Sequence, residues 1–143
     1  MVYLDVNVFI YFADENSKFN PDAEKLMELI GLGNIKSSTS LETLQEIVHS
    51  AKKLKQAKKG VSICQDIIKL IPTLYPVDLA VVKEYLDIAE KFPGLESRDC
   101  IHLATCLVNK VKTLVTEDKK LLKAKAVGLS IFTIKQALSE IDI

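Results

Sequence analysis

Apolar positions along this chain follow two alternating patterns. Short apolar runs recur through it, and between them apolar residues fall three and four positions apart. The first pattern reads as buried strand and the second as helix with one inward face. Residues 2–5 (VYLD) predict a short buried strand, with a helix starting just after Asp5. Asn20 followed by Pro21 predicts a helix start, with Asn as cap and Pro at the first helical position. Ala23, Leu26, Met27, Leu29 and Ile30 form its inward face up to Gly31. A second strand is expected at 34–38. Ser40 then predicts the N-cap of a helix carrying Leu41, Leu44, Ile47, Val48 and Ala51, ending in a lysine cluster before Gly60.

The same alternation continues with a helix over 61–70, a strand over 72–75 and a helix over 77–92, broken by Pro93 and Gly94. Ser97 predicts the cap of a helix that turns Cys100, Ile101, Leu103, Ala104, Leu107 and Val108 inward. Residues 113–116 predict a compact strand, 118–125 a short helix, and 129–132 a last strand before a C-terminal helix. Short apolar strands alternating with helices require an α/β fold. The expected architecture is a three-layer sandwich with a mostly parallel central sheet of about five strands. No repeat, low-complexity segment or linker-like stretch interrupts the pattern, so residues 1–143 read as a single domain.

Composition narrows the class further. A chain with 48% hydrophobic and 27% charged residues is globular rather than disordered. Its apolar runs fall far short of the ~20 residues of a membrane span, and no charged-then-apolar leader precedes the first strand, so a cytoplasmic location and no membrane partner are expected. Cys64, Cys100 and Cys106 form no CxxC pair and read as small buried apolar side chains. Nineteen basic residues balance nineteen acidic ones, so bulk charge does not mark a nucleic-acid binder. Lys52, Lys53, Lys55, Lys58 and Lys59 crowd together, as on a solvated helix face.

Candidate chemistry lies in the acids. Burying an unpaired charge costs several kcal/mol, roughly, so Asp5 in its apolar surroundings must stand at a strand end or be held by something positive. In open α/β sheets, ligands bind beyond the carboxyl ends of the strands. Asp5 closes the first strand, Asp118 follows the strand at 113–116, and Asp99 starts the helix that leads to it. Glu46 interrupts the apolar face of its helix between Leu44 and Ile47. Four carboxylates from separate segments repel one another unless a cation stands between them, and hard divalent ions take such oxygen ligands. Taken singly, Asp99 reads equally as a helix-dipole partner and Asp118 as a cap.

In combination these residues resemble a known family. LDVNVFIY, SLETLQEIVH, SRDCIHLAT and LVTEDKKLL, in this order, are similar to the four motifs of PIN-domain proteins. The resemblance runs from residue 1 to about residue 133, including GLSIFTI. It implies a metal-dependent endoribonuclease on a parallel sheet flanked by helices. Asp5, Glu46, Asp99 and Asp118 match the family's acids, which hold Mg²⁺ or Mn²⁺ and direct water onto an RNA phosphodiester. Thr116 and Asn7 match supporting polar positions. The chain's size suits the toxin of a type II toxin–antitoxin pair, which implies a homodimer and a small antitoxin partner.

Departures from the pattern are specific. Val6 stands where a hydroxyl residue often follows the first acid, Glu117 stands where Asn or Ser is commoner, and Lys119, Lys120 and Leu121 follow Asp118 where many members carry a further acid. The missing acid supports a second reading, a PIN-fold binding module for RNA or protein with little or no nuclease activity. Arg98 reads either as a bidentate RNA phosphate contact or as a surface partner of Glu96 or Asp87. His49 and His102 sit one turn from Glu46 and Asp99; both read as helix packing and stay outside the candidate set. A haloacid-dehalogenase-like phosphatase needs a second aspartate where Asn7 stands, and no phosphate-cradling glycine motif occurs.

Overall fold

A computed structural model describes residues 1–124 and 128–141. Five strands, β1 (Val2–Leu4), β2 (Ser37–Ser40), β3 (Thr73–Tyr75), β4 (Thr113–Val115) and β5 (Ser130–Phe132), form one sheet in the order β3-β2-β1-β4-β5. All four pairings are parallel. The eight helices are α1 (Val6–Ala13), α2 (Asn20–Gly31), α3 (Leu41–Lys53), α4 (Ala57–Leu70), α5 (Leu79–Lys91), α6 (Ser97–Val108), α7 (Lys119–Leu122) and α8 (Ile134–Glu140).

Alternation along the strands separates two cores. Val2, Leu4 and Val115 pack with α1, α2, α3, α4 and α8, whereas Tyr3 and Leu114 point the other way, onto α5, α6 and α7. The sheet is thus covered on both faces, as all-parallel sheets must be. Strand order reverses between β1 and β4, and that switch brings Asp5 beside Thr116 and Asp118.

Several boundaries differ from the sequence reading, each for a local reason. The second strand lies at Ser37–Ser40 rather than 34–38, as an entirely buried SSTS. Its hydroxyls replace apolar packing with hydrogen bonds: Ser38 donates to the Val2 carbonyl at 3.0 Å and Thr39 to the Leu4 carbonyl at 2.9 Å. Asn20 lies inside α2, and its amide donates to the Tyr11 and Phe12 carbonyls at the end of α1. The lysine cluster is divided between the end of α3 and the start of α4, with Lys55 at φ 56° turning the chain. Gly60 sits within α4, where α3 passes so close that an added Cβ would lie 2.5 Å from that of Ala51.

Caps moved as well. α5 starts at Leu79 rather than 77, because Asp78 caps it by accepting the Val81 N–H at 3.0 Å. Glu96 occupies the cap position expected of Ser97. Asp118 caps α7, which ends at Leu122; the expected end at Lys125 lies outside the described residues. Among the described residues, no helix is long and apolar enough to cross a membrane.

Candidate functional site

Each expected acid reaches the switch point by its own route. Asp5 ends the path of β1 and caps α1, its Oδ1 accepting the Val6 N–H at 2.7 Å. Its Oδ2 accepts from the Thr116 hydroxyl at 2.7 Å and from the Asn7 amide at 3.2 Å. Thr116 follows β4 directly, and its oxygen accepts from Asn7 at 3.0 Å and from the Asp118 N–H at 3.0 Å. The hydroxyl thereby uses its donor and both acceptor positions. Asn7 completes the frame, its Oδ1 accepting the Glu117 N–H at 3.1 Å. The first and fourth motifs are therefore locked together through two neutral side chains.

The other two acids come from helices. Glu46 on α3 lies 2.9 Å from His102 Nε2 on α6. Asp99 occupies the first turn of α6, almost wholly buried, and its Oδ2 has no hydrogen-bond partner. Asp5, Asn7, Glu46, Arg98, Asp99 and Asp118 all line one cavity of about 280 Å³. Arg98 is partly engaged, pairing with Glu96 at 3.0 Å. Glu117 spends its carboxylate on the Ile134 N–H at 2.8 Å, at the start of α8.

A family model described as "PIN domain" matches residues 2–127. The chain belongs to the PIN-domain family. This PIN domain is 25% identical over 124 residues to Ribonuclease VapC23 of Mycobacterium tuberculosis, covering 87% of this chain and 98% of that protein. Its fold matches that of M. tuberculosis VapC20, a sarcin-ricin loop cleaving toxin, with TM-score 0.69 at 10% identity over 90% of this chain and 96% of that one. It also matches a chain in a toxin-antitoxin complex from Klebsiella pneumoniae, with TM-score 0.65 at 18% identity over 94% and 98% of the two chains.

Burial and the crowding of like charge together set the electrostatics of the PIN-domain cleft. Burial, followed by the charges of Asp118 and Asp5, pushes the Asp99 carboxyl up to about 7. His102 is displaced upward from its ordinary value: burial opposes the imidazolium, but Asp5 and Glu46 outweigh it.

The donor set fits a hard divalent cation, being four carboxylates around one polar cavity with the Asp99 Oδ2 unsatisfied. Among the described residues, no three metal-binding side chains already stand as a coordination sphere. Asp5, Glu46 and Asp118 instead engage protein donors.

Tyr3 and Ser40, which sequence patterning marks only as strand and cap, join His102 in a buried chain behind Glu46. Only the spacing of His102 from Asp99, one helical turn, hinted at it.

Proposed function

We propose that this PIN domain is a metal-dependent endoribonuclease that hydrolyses RNA phosphodiester bonds. The observation that carries the reading is the arrival of Asp5, Glu46, Asp99 and Asp118, from four separate segments, on one polar cavity. These four would hold Mg²⁺ or Mn²⁺, and the chemistry the cation supplies is water of lowered pKa with neutralisation of phosphate charge. Thr116 and Asn7 fix the Asp5 carboxylate, and Asp99 must release its proton to serve as a ligand.

A neighbouring groove of about 610 Å³ supports an RNA strand as substrate. Lys91, Lys120 and Lys123 line it beside Phe92 and Leu95. It adjoins the acidic cleft through Leu95–Glu96 on one wall and the turn from Asp118 to Lys120 on the other. Lysines follow a phosphate backbone, and aromatic rings accept bases by stacking.

The chain's similarity to ribonucleases of the VapC group supports a role as the toxin of a toxin–antitoxin pair. An antitoxin segment has a candidate seat between α3 and α4, where Leu41, Val48, Val61 and Ile68 line an open groove of about 580 Å³. Exposed Leu79, Val82 and Leu86 share one face of α5 and support a homodimer.

The test is cleavage of structured RNA with Mg²⁺ or Mn²⁺ by the wild type and by Asp5→Asn, Asp99→Asn and Asp118→Asn. Cleavage by the wild type alone is expected; equal cleavage by all four rejects the assignment. The binding-module reading draws on Lys119, Lys120 and Leu121 after Asp118 and on the absence, among the described residues, of a ready coordination sphere. It requires that Mn²⁺ fail to bind in titration calorimetry.

A further inference from the structure

His102 does more than pack a helix. Its ring is wholly buried, with Nε2 2.9 Å from Glu46 Oε1 and 3.4 Å from Asp5 Oδ1. Ionised carboxylates only accept hydrogen bonds, so Nε2 must carry the hydrogen that faces them, whatever the state of Nδ1. On the far side of the ring, Nδ1 bonds the Tyr3 hydroxyl, which in turn bonds Ser40 Oγ at 2.6 Å. With a neutral ring the chain runs in one direction, Ser40 donating to Tyr3, Tyr3 to Nδ1, and Nε2 to Glu46. All four side chains are buried.

Ser40 supplies an independent observation. It stands at the N-cap of α3, where a serine hydroxyl ordinarily accepts an N–H of its own helix. Here its side chain makes no cap bond and turns inward to Tyr3. A buried chain that draws a cap residue away from its helix is aimed at the group at its other end, the Glu46 carboxylate. Glutamate in a helix has three rotatable side-chain bonds, and His102 Nε2 holds the Glu46 carboxylate beside the like charge of Glu42, one turn earlier on α3.

We propose that His102 is a positioning residue. Locked from behind by Tyr3 and Ser40, it draws the Glu46 and Asp5 carboxylates from separate segments onto one edge of the cleft, in readiness for the cation. This rests on the metal-site reading above. Groups behind metal ligands commonly set affinity by roughly 10–100-fold.

Mn²⁺ titration calorimetry on folded protein tests it, with thermal unfolding measured alongside. His102→Leu is expected to weaken Mn²⁺ binding by roughly 10–100-fold. His102→Gln, whose amide can donate from near the Nε2 position, recovers most of the loss. Tyr3→Phe keeps the ring in its packing and removes only the hydroxyl; it weakens binding by less than His102→Leu and remains folded. A merely structural role predicts lowered melting temperatures with wild-type Mn²⁺ affinity. Wild-type affinity in folded His102→Leu overturns the proposal, as does wild-type affinity in Tyr3→Phe where the leucine variant does not fold. A wild-type protein that binds no Mn²⁺ rejects the metal site itself, a separate result.

Discussion

Thr116 and Asn7 are the two uncharged residues that tie the first acid to the fourth motif. The Thr116 hydroxyl donates to Asp5 Oδ2 and accepts from both Asn7 and the Asp118 N–H. Thr116→Val keeps the shape and strands these partners, so a stability loss of about 1–3 kcal/mol is expected, measurable by denaturant unfolding. Asp99 behaves oppositely. With its carboxyl raised from 3.8 to about 7 in the folded state, the native protein binds more protons than the unfolded chain between those values. Asp99's contribution to the stability of the metal-free protein therefore falls as pH rises through that window and levels off above it. Asp99→Asn removes this contribution and leaves that of His102, which has the same sign, so the variant should be the more stable of the two above about pH 7 without metal. Unfolding curves across pH check this; a wild type that gains stability relative to Asp99→Asn over the same range contradicts it. Strand ends and a helix start pointed to Asp5, Asp99 and Asp118, and a break in an apolar helix face to Glu46, but it took the four motifs together to select them as a set. His102 was not legible in the sequence, because its partners, Glu46 and Tyr3, lie 56 and 99 residues away.

At the scale of elements, helices with a continuous apolar stripe were legible, and the errors fell where tertiary contacts override local signals. β2 has no apolar residue, so hydrophobic patterning placed the strand slightly early, around Ile35. Its burial depends on hydroxyl bonds to β1 carbonyls, which no local pattern reveals. Gly60 looked like a terminator, yet it is the contact point of α3 with α4. Gly60→Ala should gain up to about 1 kcal/mol of helix propensity and lose more, about 1–3 kcal/mol, to overpacking against Ala51. A net fall in melting temperature, partly restored by adding Ala51→Gly, is the expected result. A stabilised Gly60→Ala would show that the two helices separate freely.

For the whole molecule, zero net charge hides a local division of sign. An acidic cleft lies next to a groove lined by Lys91, Lys120 and Lys123, and their sum says nothing about binding. Replacing all three lysines by alanine should weaken single-stranded RNA binding and reduce the slope of log affinity against log salt by about 2. A mostly parallel sheet of about five strands was expected from alternating strands and helices; its strand order, with the reversal between β1 and β4, was not. Nor did the alternation specify which side chains close the cleft, since that depends on helix rotation about the sheet.

RNA cleavage as a function of Mn²⁺ concentration, measured side by side for the wild type and Asp99→Asn, is the most direct test of the four-acid metal site. Saturable, chelator-sensitive cleavage by the wild type, reduced at least ~100-fold in the variant, is the predicted result. Cleavage that persists in chelator, or that Asp99→Asn retains in full, would contradict it.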